Sequence, residues 1–140
     1  MWKGRFDECK AKFEAFWHAE VMPREGEFMA AVRAQREKFP ASLGLHSGRW
    51  HHPAVIDELS GKAKAAGLWN LFLPSVSGLT QWEYAQLAET MGHAPWFGPQ
   101  VFNCDAPDTG NMEMLHLYAT EAQKAQWLAP LLDGKIRSAF

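Results

Sequence analysis

Apolar residues fall at three- and four-residue steps over most of the chain, the spacing that lays one buried stripe along a helix. Phe6, Cys9, Phe13, Phe16, Trp17 and Val21 form the first stripe and predict a helix over 6–21, closed by Pro23. A second helix is predicted over 25–38, with Phe28, Met29 and Val32 facing inward and Pro40 stopping it. After a polar, glycine-containing loop over 42–52, Pro53 suits a first helical turn. Val55, Ile56, Leu59, Ala63 and Ala66 make the next stripe, and Gly67 stands where a left-handed cap is wanted. The run 68–74 is apolar without a helical period and reads as a buried extended or turn-rich passage.

Thr80 followed by Glu83 is the pattern in which each side chain bonds a free backbone N–H at a helix start. Tyr84, Leu87, Ala88 and Met91 give that helix its apolar face, and Gly92 ends it. A short helix is expected within 95–104, carrying Trp96, Val101 and Phe102. Asp108 then caps a helix to about Tyr118 with Met112, Leu115 and Leu117 apolar. Thr120 with Gln123 repeats the box and opens a last helix, which Pro130 distorts and Gly134 terminates. Residues 136–140 alternate and can begin a strand, although a single strand cannot satisfy its own edges. The expectation is one all-α domain over 1–140, a bundle of six or seven helices with a stray C-terminal strand.

Composition adds exclusions. The apolar fraction of 47% and charged fraction of 21% are those of a globular chain, and the net charge of −2 offers no field for nucleic acid. No apolar run approaches the roughly 20 residues that cross a bilayer, and the N-terminus lacks the apolar core of a signal peptide. Cys9 and Cys104 have no metal spacing and are expected as reduced thiols of an intracellular protein. Seven tryptophans bring a large area to bury, so several should anchor helix contacts.

Candidate chemistry is sparse. His51-His52 lacks a third ligand at helical spacing and reads as a solvated loop rather than a metal site. His116, between Leu115 and Leu117, reads as a partly buried residue satisfied by its neighbours. Ser47 and Ser77 lie in no nucleophile elbow, and no glycine-rich phosphate loop occurs. The segment 102–112 stands out, with small, polar and turn-forming residues between two apolar helices. It reads either as a helix joint capped by Asp108, or as a pocket wall in which Ala106 and Gly110 leave room for a ligand beside Phe102.

At this segment the sequence resembles the N-terminal α-domain of acyl-CoA dehydrogenases, nearest the branch of long- and very-long-chain mitochondrial and peroxisomal members. The residues that carry the likeness are 62–74 (KAKAAGLWNLFLP), 83–92 (EYAQLAETMG), 101–104 (VFNC), 106–113 (APDTGNME) and 123–134 (QKAQWLAPLLDG), in order and at family spacing. The stretch 74–78 departs from it, because relatives often carry a longer glycine-rich loop there. The resemblance implies an enzyme of fatty acid metabolism in three parts: this helical domain, a β-domain and a C-terminal helical bundle. FAD takes a hydride from the β-carbon of an acyl-CoA while a glutamate in that bundle removes the α-proton.

The resemblance further implies that Phe102, Asn103, Ala106 and Gly110 wall the acyl end of the pocket, which favours the wall over the joint. It aligns 136–140 with the run into the flavin-binding segment, Phe140 on its first position. No catalytic residue and no metal ligand is carried over. The expected partners are the acyl-CoA substrate and the β-domain and C-terminal bundle, on the same chain or a partner subunit, with FAD held only weakly by this chain. The expected location is cytoplasmic, or the mitochondrial matrix or peroxisome in a eukaryote. The alternatives are a non-enzymatic interaction or assembly module of the same descent and an independent acyl-binding protein.

Overall fold

The computed structural model describes residues 1–38 and 53–139, and among them every regular element is helical. In order these are α1 (Phe6–Phe16), a π turn (Trp17–Val21), a 3-10 turn (Met22–Arg24), α2 (Glu25–Lys38) and α3 (Ala54–Ala65). The short α4 (Pro74–Ser77), α5 (Gln81–Met91), the short α6 (Gly98–Val101) and α7 (Asp108–Tyr118) follow. The chain closes with α8 (Glu121–Gln123), a second π turn (Lys124–Leu128) and α9 (Ala129–Leu132). The all-α fold read from the pattern is therefore the fold found. Residues 136–139 form no strand, and Phe140, His51, His52, His46, Ser47 and Pro40 lie outside the described residues.

Pro23 acts differently from the expectation, whereas Pro130 distorts the last helix as expected. Pro23 does not close the first helix; the helical path runs on from Phe6 to Lys38. Pro23 and Pro130 have no N–H to give the carbonyls of Ala19 and Gln126, four residues back, and their rings crowd those carbonyls. In both places the helix widens into a π turn one turn ahead, over Trp17–Val21 and Lys124–Leu128. Both capping boxes form: the Thr80 hydroxyl accepts from the Glu83 N–H at 3.2 Å while the Glu83 carboxylate takes the Thr80 N–H at 2.7 Å. Thr120 and Gln123 do the same. Asp108, however, is the first residue of α7 rather than its cap, and its carboxylate turns to the C-terminal segment.

The core gathers the stripes of α1, α3 and α5 around the passage 68–73. Phe13, Ile56, Leu59, Leu68, Leu71, Leu87 and Phe102 are essentially without solvent contact. Met29, expected to face inward, is exposed at 48%, and so are two apolar residues of the later helical stretches, Leu117 at 59% and Trp96 at 76%. At about 100° per residue, Met29 sits one step round from Phe28, and Leu117 lies roughly 140° from Met112. Trp96 precedes α6 instead of riding on it. Among the tryptophans, Trp17 is 2% exposed, and the Trp2 and Trp69 indoles each bond a distant carbonyl, at Gly67 and Leu132.

Gly98 shows how close the packing is. A Cβ there would stand 2.7 Å from the Trp17 ring and 2.8 Å from the Met91 carbonyl oxygen. Gly98→Ala should cost about 2 kcal/mol, the usual scale of overpacking, read as a lower urea midpoint at unchanged slope. An unaltered midpoint would contradict the close approach.

Candidate functional site

The segment 102–111 is fixed from inside by an aromatic hub and a polar network. Phe102, at the C-terminal end of α6, meets Phe13 at a ring-centroid distance of 4.9 Å, Phe16 at 5.8 Å and Trp17 at 6.4 Å. Its carbonyl accepts the Asn70 N–H at 3.0 Å. Asn70 and Asn103 both hold left-handed backbone, at φ +55° and +54°, which asparagine tolerates better than other side-chain-bearing residues. Their side chains meet: Asn103 Nδ2 donates to Asn70 Oδ1 at 2.7 Å and to the Leu131 carbonyl at 3.1 Å, and Asn70 Nδ2 donates to the Leu132 carbonyl at 2.8 Å. The last carbonyls of α9 thus accept side-chain amides, that of Leu131 alongside the Gly134 N–H at 2.9 Å and that of Leu132 alongside the Trp69 indole.

Arg137 extends the network outward. Its Nη1 donates to Asn103 Oδ1 at 2.7 Å and to Asp108 Oδ2 at 3.2 Å. The other Asp108 oxygen accepts the Ser138 N–H at 2.7 Å and its hydroxyl at 2.6 Å, and Asn111 Nδ2 donates to that hydroxyl at 2.8 Å. Among the described residues no buried side-chain nitrogen or oxygen lacks a partner, as a low-dielectric interior requires.

Two shallow hollows open on either side of the start of α7. One, of about 220 Å³, is lined by Gln100, Asp105, Ala106, Pro107, Asp108, Arg137 and Ser138. The other, of about 230 Å³, is lined by Phe72, Gln81, Tyr84, Thr109, Gly110 and Glu113. The four candidate wall residues are thus divided. Ala106 lines the first hollow and Gly110 the second, while Phe102 and Asn103 line neither and form the interior support behind them. A Cβ on Gly110 would meet nothing within 4 Å, so the chain's own packing does not demand glycine there. Sequence reasoning missed Phe72, Gln81, Tyr84 and Glu113 as neighbours of Gly110. Their positions come from contacts between distant elements that no local pattern carries.

Burial shapes the titrating groups around the hollows. It raises the half-buried Asp105 carboxyl above its ordinary value, against the Ala106 N–H and the nearby Arg137 charge, which lower it. It likewise raises the Tyr84 hydroxyl, with the neighbouring Cys104 adding to the shift. The buried Cys9 and Cys104 are free thiols, each pushed up from 9.0 to about 11 chiefly by desolvation. No group of three metal-ligating side chains occurs among the described residues, and no helix of theirs is long and apolar enough to cross a membrane.

Comparison with known proteins places this architecture. Residues 7–135 match the family model described as acyl-CoA dehydrogenase, N-terminal domain. The chain belongs to that family. It is 61% identical over 133 residues to acyl-CoA dehydrogenase family member 11 of Homo sapiens, a match covering 95% of this chain and 16% of the relative. The Gallus gallus protein of the same name is 50% identical over 133 residues, with the same coverages. A solved chain from Mycobacterium abscessus, titled as an acyl-CoA dehydrogenase, is 50% identical at a TM-score of 0.77, over 97% of this chain and 33% of that one. The chain thus spans about 16% of the length of these curated relatives.

The raised thiols make a direct prediction. At pH 8 both remain protonated in the folded protein, so iodoacetamide should label them about 100-fold more slowly than in urea, two units of pKa being two decades of thiolate. The stability that this burial represents is fully present below the thiols' unfolded value near 9.0, and is lost as pH rises through about 11. Equal labelling rates with and without urea would refute it.

Proposed function

We propose that this chain forms the acyl-side wall of a FAD-dependent acyl-CoA dehydrogenase, with hydride transfer and proton abstraction carried by residues outside it. The observation that carries the reading is the second hollow. An aromatic pair, Phe72 and Tyr84, faces a helical glycine that no neighbour in the chain requires. Glycine within a helix costs up to about 1 kcal/mol against alanine, so its presence is best explained by an occupant from outside. The match of residues 7–135 to the N-terminal domain of the family supports the same assignment. FAD is the cofactor of the family. The described residues present no unpartnered buried donor for it, and Phe140 lies outside them, so no step through FAD is assigned to this chain.

A second reading, an interaction module, is favoured by one observation. Met114, Leu117 and Tyr118, on one side of α7, and Trp127 are all at least half exposed, an apolar area of the kind that meets another protein surface. In the enzyme reading the same surface faces the remainder of the enzyme.

A domain exchange separates the two. Residues 1–139 are placed in the Mycobacterium abscessus relative in the position of its matching third, and acyl-CoA oxidation is followed across chain lengths. The exchanged enzyme should take its chain-length preference from this domain. Gly110→Leu should shift it toward shorter acyl groups by about tenfold in kcat/KM, the usual reach of a hydrophobic pocket. A preference identical to the parent's, in both versions, would overturn the reading.

A further inference from the structure

Residues 136–139 have little backbone pairing of their own. The Lys135 N–H donates to the Pro130 carbonyl at 2.9 Å and finishes the last helical turn. Beyond it, the Ser138 N–H bonds not to backbone but to the Asp108 carboxylate, at 2.7 Å. Asp108 is 6% exposed and Asn103 1%. Two nearly buried polar side chains therefore hold the end of a segment whose only apolar anchor among the described residues is Ile136, packed against the core.

We propose that Asp108, seconded by Asn103, is a positioning residue that clamps Arg137 and Ser138. Through it the wall at Ala106 and Pro107 and the segment 136–139 move as one body. The Asp108 carboxylate accepts three hydrogen bonds from these two residues, two on one oxygen and one on the other. Charge-assisted bonds of this kind are about twice as strong as neutral ones. The Arg137 Nη1 is shared between Asp108 and Asn103, and Asn103 is tied to the end of α9 through the Leu131 carbonyl. The clamp is thereby anchored in the core rather than floating at the rim. Ala106, Pro107, Asp108, Arg137 and Ser138 also line one hollow. A group seated against Ala106 presses on the same side chains that set the course of the outgoing chain. That functional side rests on the acyl-wall reading; the clamp itself stands on the hydrogen bonds alone.

The test is amide hydrogen exchange on this chain by NMR, with the guanidinium signals of Arg137 observed in parallel. In the wild type the Ser138 amide should exchange at least about tenfold more slowly than that of Ala139, and the Arg137 Nη protons should be resolved by hindered rotation. Asp108→Asn should abolish the guanidinium signature and speed Ser138 exchange by about tenfold, the loss of one charge-assisted bond, with α3 and α5 amides unchanged. Asp108→Glu should restore part of both. If Asp108→Asn loosens the whole domain, Arg137→Gln, on a side chain 43% exposed, carries the test and should speed exchange over 136–139 alone. A Ser138 amide that exchanges freely in the wild type, or exchange over 136–139 unaltered by both substitutions, overturns the clamp. No flavin or acyl-CoA enters the measurement, so its failure leaves the enzyme reading standing, and failure of the domain exchange leaves the clamp standing.

Discussion

The hydrogen bond between Asn103 and Asn70 is the tie on which the course of the segment 102–111 depends. It joins two residues that both hold left-handed backbone and brings together three pieces of chain that share no helix. One piece is the passage 68–73, the second the end of α6 with the turn that follows, and the third the end of α9, whose last two carbonyls accept the asparagine amides. The Asn70 side-chain oxygen has its partner only while Asn103 is in place, whereas Asn103 is also held by the Leu131 carbonyl and Arg137. Loss of one side chain strands the polar groups that faced it, at a cost of about 1–3 kcal/mol per group.

From that tie the face builds outward. Phe102 directly precedes Asn103 and is held by three aromatic rings of the first helical run. With Phe102 and Asn103 locked, the turn through Ala106 to Gly110 has one course, and the two hollows fall on either side of the start of α7. Cys104 and Tyr84, neutral at physiological pH by their ordinary values, are raised further by burial. That pair therefore adds no charge beside Gly110, where the polar members of the lining are Gln81, Thr109 and Glu113. The arrangement puts Phe102 and Asn103 in the interior and leaves Ala106 and Gly110 on two different hollows.

Much of this was legible in the sequence because it is local. Stripes at helical spacing located α1, α2, α3, α5 and α7, and the two capping boxes marked the starts of α5 and α8 because donor and acceptor lie three residues apart. Gly67 and Gly134, at φ +74° and +73°, end their helices as their positions suggest. What escaped the sequence was set by distance along the chain. Asn70 stands out as the polar residue in an apolar run, yet its partners lie 33 and 62 positions away. Asp108 has the composition of a cap, but its partner Ser138 is 30 positions on. The prolines at 23 and 130 were visible as obstacles. That a helix passes each of them by widening, rather than stopping, follows from the packing of the helical run beyond, which a local pattern does not hold.

A double-mutant cycle on Asn70→Gly and Asn103→Gly tests the central tie most directly. Glycine keeps the left-handed backbone available at both positions, so the cycle isolates the side chains. Unfolding free energies from urea titration should show a coupling of about 1–2 kcal/mol between the two substitutions, as expected of a hydrogen-bonded buried pair. Effects that add to within about 0.3 kcal/mol would mean that the two asparagines act independently, and the account of this face would fall with them.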